Sequence, residues 1–154
     1  GHVLMDLGRL DEAEAAFADA VEATPLSAVG WHFLGLVQMK QRKSASAVIS
    51  LERAIAIDSS RAKSWEYLGM ALANQQKMDQ AIAKLAEARR LDPKLPTVHY
   101  TLAILYLQQD QQEQAVASLK KAVALAPALL DQARKNPFFL QFPEQSPIRR
   151  YLAG

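Results

Sequence analysis

The sequence predicts an all-α solenoid of antiparallel helix hairpins, closed at its C-terminal end by a capping helix. Three observations carry this. Alanine, leucine, glutamine, lysine, arginine and glutamate, all strong helix formers, dominate, while glycine is scarce at six residues. The sequence falls onto itself when slid by 34 residues. Proline and serine punctuate the chain at that same period, where helices must stop and start. At 154 residues, half of them hydrophobic, the chain has the material for one compact domain or a short repeat array and is no disordered segment.

The rows of the repeat explain each element in turn. Trp31 superposes on Trp65 and then on His99, Leu34 on Leu68 and Leu102, and Gly35 on Gly69 and Ala103. In the second half of each unit, Ala13, Ala47, Ala81 and Ala115 form one row, Phe17, Leu51, Leu85 and Leu119 another, and Ala20, Ala54, Ala88 and Ala122 a third. Trp65, Leu68 and Leu72, at i, i+3 and i+7, make the apolar stripe of a first helix, and Ala81, Ile82, Leu85 and Ala88 that of a second. Small residues at Gly69, Ala81 and Ala88 let the two axes approach. Pro25, Pro93 and Pro127 share the position that ends a second helix, with Ser59 in the intervening repeat. Ser27 and Ser60 are the expected N-caps of the next first helices, and Pro96 fits a first turn.

This pattern resembles the tetratricopeptide repeat, a 34-residue helix–turn–helix marked by Trp, Leu-Gly, two alanine rows and a closing proline. A partial copy occupies residues 1–27 and complete copies 28–61, 62–95 and 96–129, leaving 130–154 for a capping helix and a short tail. The resemblance implies a right-handed superhelix whose first helices line its concave side. It also implies a positive-φ turn between the paired helices, usually glycine. Gly8 supplies it once, and Arg42, Gln76 and Asp110 occupy the later turns.

The two ends depart from the pattern. Gly1 aligns with Gly35 and Gly69, so a first helix is already half complete where the sequence opens. This reads as an excerpt of a longer protein, with Gly1-His2 an expression remnant. A cut there is expected to expose the apolar side of Phe17 and Val21. At the other end, Ala128–Lys135 reads as one amphipathic helix. The proline-separated segments Asn136–Leu140 and Ser146–Leu152 are expected to fold back onto it, as at a natural C-terminus.

The residues exclude several classes of function. No cysteine is present, so disulfides, thiol catalysis and thiolate metal sites are ruled out, and the absence suits the cytoplasm or an oxidising compartment alike. Net charge is +2 with no long basic run, which argues against a nucleic-acid binder. No apolar run approaches the roughly 20 residues of a membrane span, so direct insertion is not expected. His2, His32 and His99 do not pair at metal-ligand spacing, and His99 sits on the tryptophan row. No phosphate loop, nucleophile motif or cofactor motif appears, and catalysis is not expected. The charge is uneven: residues 1–27 carry six acids against Arg9, a balance of −5, and the remainder carries 17 bases against 10 acids, a balance of +7.

The expected site is therefore a surface that holds another protein or peptide. The resemblance places it on the first-helix positions that the Trp-Leu-Gly stripe leaves free. These are Val29, His32, Phe33, Leu36, Met39 and Lys40 in the first complete repeat. In the next they are Lys63, Glu66, Tyr67, Met70, Ala73 and Asn74, and in the last Thr97, Tyr100, Thr101, Ile104, Leu107 and Gln108. Leu36, Met70 and Ile104 form an apolar row flanked by Phe33, Tyr67 and Tyr100. Co-chaperones of this family grip a chaperone's terminal carboxylate with Lys, Asn, Asn, Lys and Arg. The matching positions here are His32, Leu36, Tyr67, Thr97 and Thr101, so that clamp is missing. Two alternatives remain: a targeting arm of a larger enzyme or assembly protein, and a self-assembling module joined through the open N-terminal face.

Overall fold

The helix boundaries of the repeats recur at the 34-residue period of the sequence. A computed structural model describes all residues, 1–154, and none lies in a strand. The chain forms two compact units, Gly1–Leu91 and Asp92–Gly154.

The first unit holds α1 (His2–Asp6), α2 (Leu10–Ala23), α3 (Ala28–Lys40), α4 (Ser44–Ile57), α5 (Ala62–Asn74) and α6 (Met78–Leu91). Successive helices are joined by the turns that the resemblance implies. Gly8 takes φ of +72°, and Arg42 and Gln76 adopt the same left-handed conformation at +62° and +61°. The Ser27 hydroxyl accepts from the Gly30 amide at 3.1 Å and caps α3. Ser60 does not cap α5. Its amide and hydroxyl instead donate to Asp58 Oδ1, closing a turn of their own, and Arg61 takes the cap position without a side-chain bond.

Hairpin packing rests on missing atoms. A Cβ added to Gly35 would lie 2.6 Å from Leu51 Cγ, and one added to Gly69 would lie 2.6 Å from Leu85 Cγ. Ala47, Ala54, Ala81 and Ala88 are fully buried, so both faces of each hairpin interface are small where the helices cross. Trp31 and Trp65 each fold back, donating an indole N–H at 2.8 Å to the carbonyls of Pro25 and Ser59. A polar bridge ties α2 to α3 and α4. Gln38 donates to Glu14 at 3.3 Å and accepts from Ser50 at 2.8 Å, while Lys43 lies 2.6 Å from Glu14. The Lys43 hydrogen bond holds the Glu14 carboxyl below its ordinary range, against the effect of burial.

The expectation that Phe17 and Val21 are exposed is not met. Both are buried: His2 and Phe33 pack on Phe17, and Val21 lies against the start of α3, where a Cβ added to Gly30 would meet it at 3.0 Å. The ring of Phe17 stacks on Phe33 at 5.6 Å and meets His2 edge-on at 5.4 Å. The apolar exposure at this end lies one layer further out, at Val3 and Leu7, 69% and 64% exposed.

The second unit holds α7 (Pro96–Gln108), α8 (Gln112–Leu125), α9 (Ala128–Lys135), α10 (Pro137–Leu140) and α11 (Pro147–Ala153). Pro96 stands in the first turn of α7, and Asp110 makes the α7–α8 turn at φ +58°. His99 replaces tryptophan without losing the fold-back bond. Its Nε2 lies 3.0 Å from the Pro93 carbonyl, which can only accept, so this nitrogen carries the hydrogen.

The last three helices close the core of this unit. Ala133, Phe139, Ile148 and Leu152 are buried in one cluster with Tyr100, Ala103, Leu107, Ala115, Leu119 and Ala122. Two arginines clasp the ends of the short helices. Arg134 Nε donates to the Leu152 carbonyl at 2.8 Å and Arg149 Nη1 to the Leu140 carbonyl at 3.0 Å, satisfying acceptors that helix ends leave open.

Candidate functional site

The expected surface residues divide into those that are buried and those left uncovered. His32, Glu66 and Tyr100 occupy one position of the repeat, and all three are buried, at 5%, 2% and 8% exposure. His32 lies between α3 and α5. Its Nδ1 is 2.9 Å from Ser64 Oγ, and its ring meets Tyr67 at 5.6 Å and Phe33 at 5.0 Å. Burial first, and then the positive charges of Arg61 and Lys63, push its pKa from 6.5 down to about 4, so it is neutral at physiological pH. Glu66 is held by Lys63, with Nζ 2.7 Å from Oε2. Tyr100 is covered by the cap: Asn136 Nδ2 donates to its hydroxyl at 3.2 Å, and Phe139 packs edge-on at 5.7 Å. Being buried, these three are not available to a partner. Leu107 is likewise buried in the cap cluster.

The remaining residues stay accessible. In the first unit, Val29, Lys40 and Asn74 are exposed, and Phe33, Leu36, Met39, Lys63, Tyr67, Met70 and Ala73 are partly covered. Phe33 gives up one side to the chain itself, since His2 stands edge-on to it at 4.1 Å. In the second unit, Thr97 and Gln108 are exposed and Thr101 and Ile104 are partly covered, with Ile104 packed against the cap cluster. The Thr101 hydroxyl turns inward and donates to the Thr97 carbonyl at 2.9 Å.

Sequence reasoning did not single out Ser64, which bonds His32, or Arg61, whose positive charge helps to keep the ring neutral. The signal was available: His32, Glu66 and Tyr100 recur at the repeat period, so all three point the same way. No group of three or more His, Asp or Glu side chains could hold a metal ion, and no helix is long and apolar enough to cross a membrane.

Paired antiparallel helices, recurring glycine and alanine contacts and a terminal cap define a helical-repeat protein that works through its surfaces. A family model described as the tetratricopeptide repeat protein 21 C-terminal ARM domain matches residues 18–135, more than half the chain, and a tetratricopeptide repeat model matches residues 1–25. The chain belongs to the tetratricopeptide repeat family, and over residues 18–135 to the branch which that first model describes. Solved structures show the same fold. The crystal structure of MamA is similar over 97% of this chain and 86% of its own, with a TM-score of 0.82 and 21% identity. TTC0263, a thermophilic TPR protein in Thermus thermophilus, is similar over 99% of this chain and 93% of its own, with a TM-score of 0.74 and 22% identity. The first TPR of Spaghetti (RPAP3), bound to the HSP90 peptide SRMEEVD, covers 71% of this chain and 87% of its own, with a TM-score of 0.70 and 21% identity. None of the curated proteins compared with the chain matches it.

Proposed function

We propose that this tetratricopeptide-repeat scaffold holds an extended peptide or an amphipathic helix of another protein against its first helices. The observation that carries the reading is the state of Leu36 and Met70. They lie one repeat apart on α3 and α5, are only partly covered, and belong to neither the hairpin stripe nor the buried His32–Glu66 row. Tyr67 and the free side of Phe33 flank them as aromatic anchors, the residue type that dominates interface hot spots. Lys40, Lys63 and Asn74 orient the bound segment by charge and hydrogen bonds. In the second unit Thr97, Thr101, Ile104 and Gln108 offer a smaller surface of the same kind, since Tyr100 belongs to the cap. That a similar fold has been solved with a peptide bound supports this mode of binding. The terminal-carboxylate clamp is not carried over, because His32, Leu36, Tyr67, Thr97 and Thr101 stand where its cations and amides would be. Scaffold families of this type are generally not enzymes, and no catalytic role is proposed for this chain.

The test is the double substitution Leu36→Glu with Met70→Glu, screened beside the parent chain against a peptide library. Partner capture should be lost while helical circular dichroism and the melting temperature stay close to the parent's. Unfolding of the double variant would place these side chains in the core and sink the assignment. A second reading, self-association through the N-terminal end, is favoured by the exposed Val3 and Leu7 of α1. Light scattering against concentration separates the two.

A further inference from the structure

Outside the first-helix surface, the first unit carries an apolar notch that the repeat itself does not require. It measures about 400 Å³ and is lined by Pro25, Leu26, Trp31, Arg53, Ala56 and Ile57, from the α2–α3 connection, the start of α3 and the last turns of α4. Leu26 is 84% exposed, a large cost in apolar surface for a position that packing leaves free. The other repeats put polar side chains there, Ser60 and Lys94. The second repeat also closes the equivalent ground with charge. Glu87 and Arg90 pair at 2.6 Å where Arg53 and Ala56 stand, and Lys84 Nζ lies 5.3 Å over the Trp65 ring. The first repeat alone combines leucine, tryptophan and isoleucine with a single cation. Arg53 is exposed and has no carboxylate within salt-bridge distance.

We propose that this notch is an anchor site for a linear peptide that brings one bulky apolar side chain and, within a few residues of it, a carboxylate. The apolar side chain fills the space between Leu26, Trp31 and Ile57, and the carboxylate pairs with the Arg53 guanidinium, whose planar fork suits bidentate contact. Size and charge favour a single peptide side chain as the occupant: the notch has room for one bulky group, and the exposed Arg53 calls for a carboxylate beside it. The site is separate from the Leu36–Met70 surface, so the two can be tested independently.

The chain contains two tryptophans, which supply the readout. Both indoles are fixed by a backbone carbonyl, but only Trp31 lines the notch. The probes are acetylated, amidated hexapeptides with one Leu, Phe or Trp followed at one to three residues by Glu, with matched peptides carrying Gln for Glu or Ser for the apolar residue. Titration of the full chain, followed by proton–nitrogen correlation spectra, should move the Trp31 indole resonance and leave that of Trp65 in place. Affinity should fall by about two- to fivefold for the Gln peptide or for Arg53→Gln, the size of an exposed ion pair. Binding should be lost with the Ser peptide or with Leu26→Ser, a change at an exposed position that leaves the spectrum of the fold intact. The proposal is overturned if no peptide shifts Trp31 at millimolar concentration, or if Gln and Glu peptides bind alike. It is overturned equally if the Trp31 signal moves with protein concentration alone, which would make a second copy the occupant. Leu36→Glu with Met70→Glu should leave these titrations unchanged wherever that chain keeps its helical spectrum, whether or not it captures a partner in the groove.

Discussion

Acidification should destabilise the first unit through His32 before its carboxylates are neutralised. The ring is buried between α3 and α5, with Arg61 and Lys63 as its nearest cations, and titrates at about 4 instead of 6.5. Between these two values the unfolded chain binds a proton that the folded chain refuses, so stability falls as pH drops from above 6.5 toward 4 and levels off below. The whole effect is on the order of 3 kcal/mol, from roughly 2.5 pH units at 1.36 kcal/mol each, with somewhat under half of it lost by about pH 5.5 and about three quarters by about pH 4.5. The Ser64 bond does not set this cost, since its hydroxyl can rotate to accept from a protonated ring. Urea unfolding of the parent and of His32→Gln, at pH values from 7.5 to 4.5, measures it. Glutamine keeps a hydrogen-bonding group near Ser64 but does not titrate, so the parent should lose stability more steeply through this window. Parallel curves would show that His32 takes up its proton without resistance, and the burial argument would fail.

Two further outcomes follow from the turns and the cap. Gln76→Gly should stabilise by about 0.5 kcal/mol: it relieves the left-handed backbone at φ +61° and gives back part of that gain as unfolded-state entropy. A clear drop in the urea midpoint would mean that the Gln76 side chain contributes more than its backbone strain costs. Deleting everything after Pro127 removes the buried Phe139, Ile148 and Leu152, worth about 5 kcal/mol together before entropy is subtracted, and uncovers Tyr100 and Leu107. Amide exchange should then accelerate most in α7 and α8, with association or aggregation; unchanged protection in a soluble monomer would show that the last three helices do not support their neighbours.

What the sequence determined by itself was the periodic part of the structure. Rows such as Ala47, Ala81 and Ala115, or Leu51, Leu85 and Leu119, must face a partner helix because no other arrangement buries them together. They fix the all-α hairpin array. The resemblance to the tetratricopeptide repeat located the left-handed residues at Arg42, Gln76 and Asp110, although none is glycine. The helix Ala128–Lys135 was legible from its apolar face. Tertiary structure alone decided what happens beside those rows. His32 and Glu66 look like surface residues in sequence, since a polar side chain carries no mark of the neighbour that satisfies it. In the fold both are buried, with Ser64 and Lys63 among the groups that satisfy them. Tyr100 read as an anchor for a partner until Asn136 and Phe139, some 36 to 39 residues away in sequence, came to lie on it. Phe17 and Val21 were expected to be open, and His2 of α1 together with Phe33 and the start of α3 covers them. The division has one physical cause. A repeat pattern records which face of a helix is apolar, while the exposure of every other face depends on atoms contributed by distant parts of the chain.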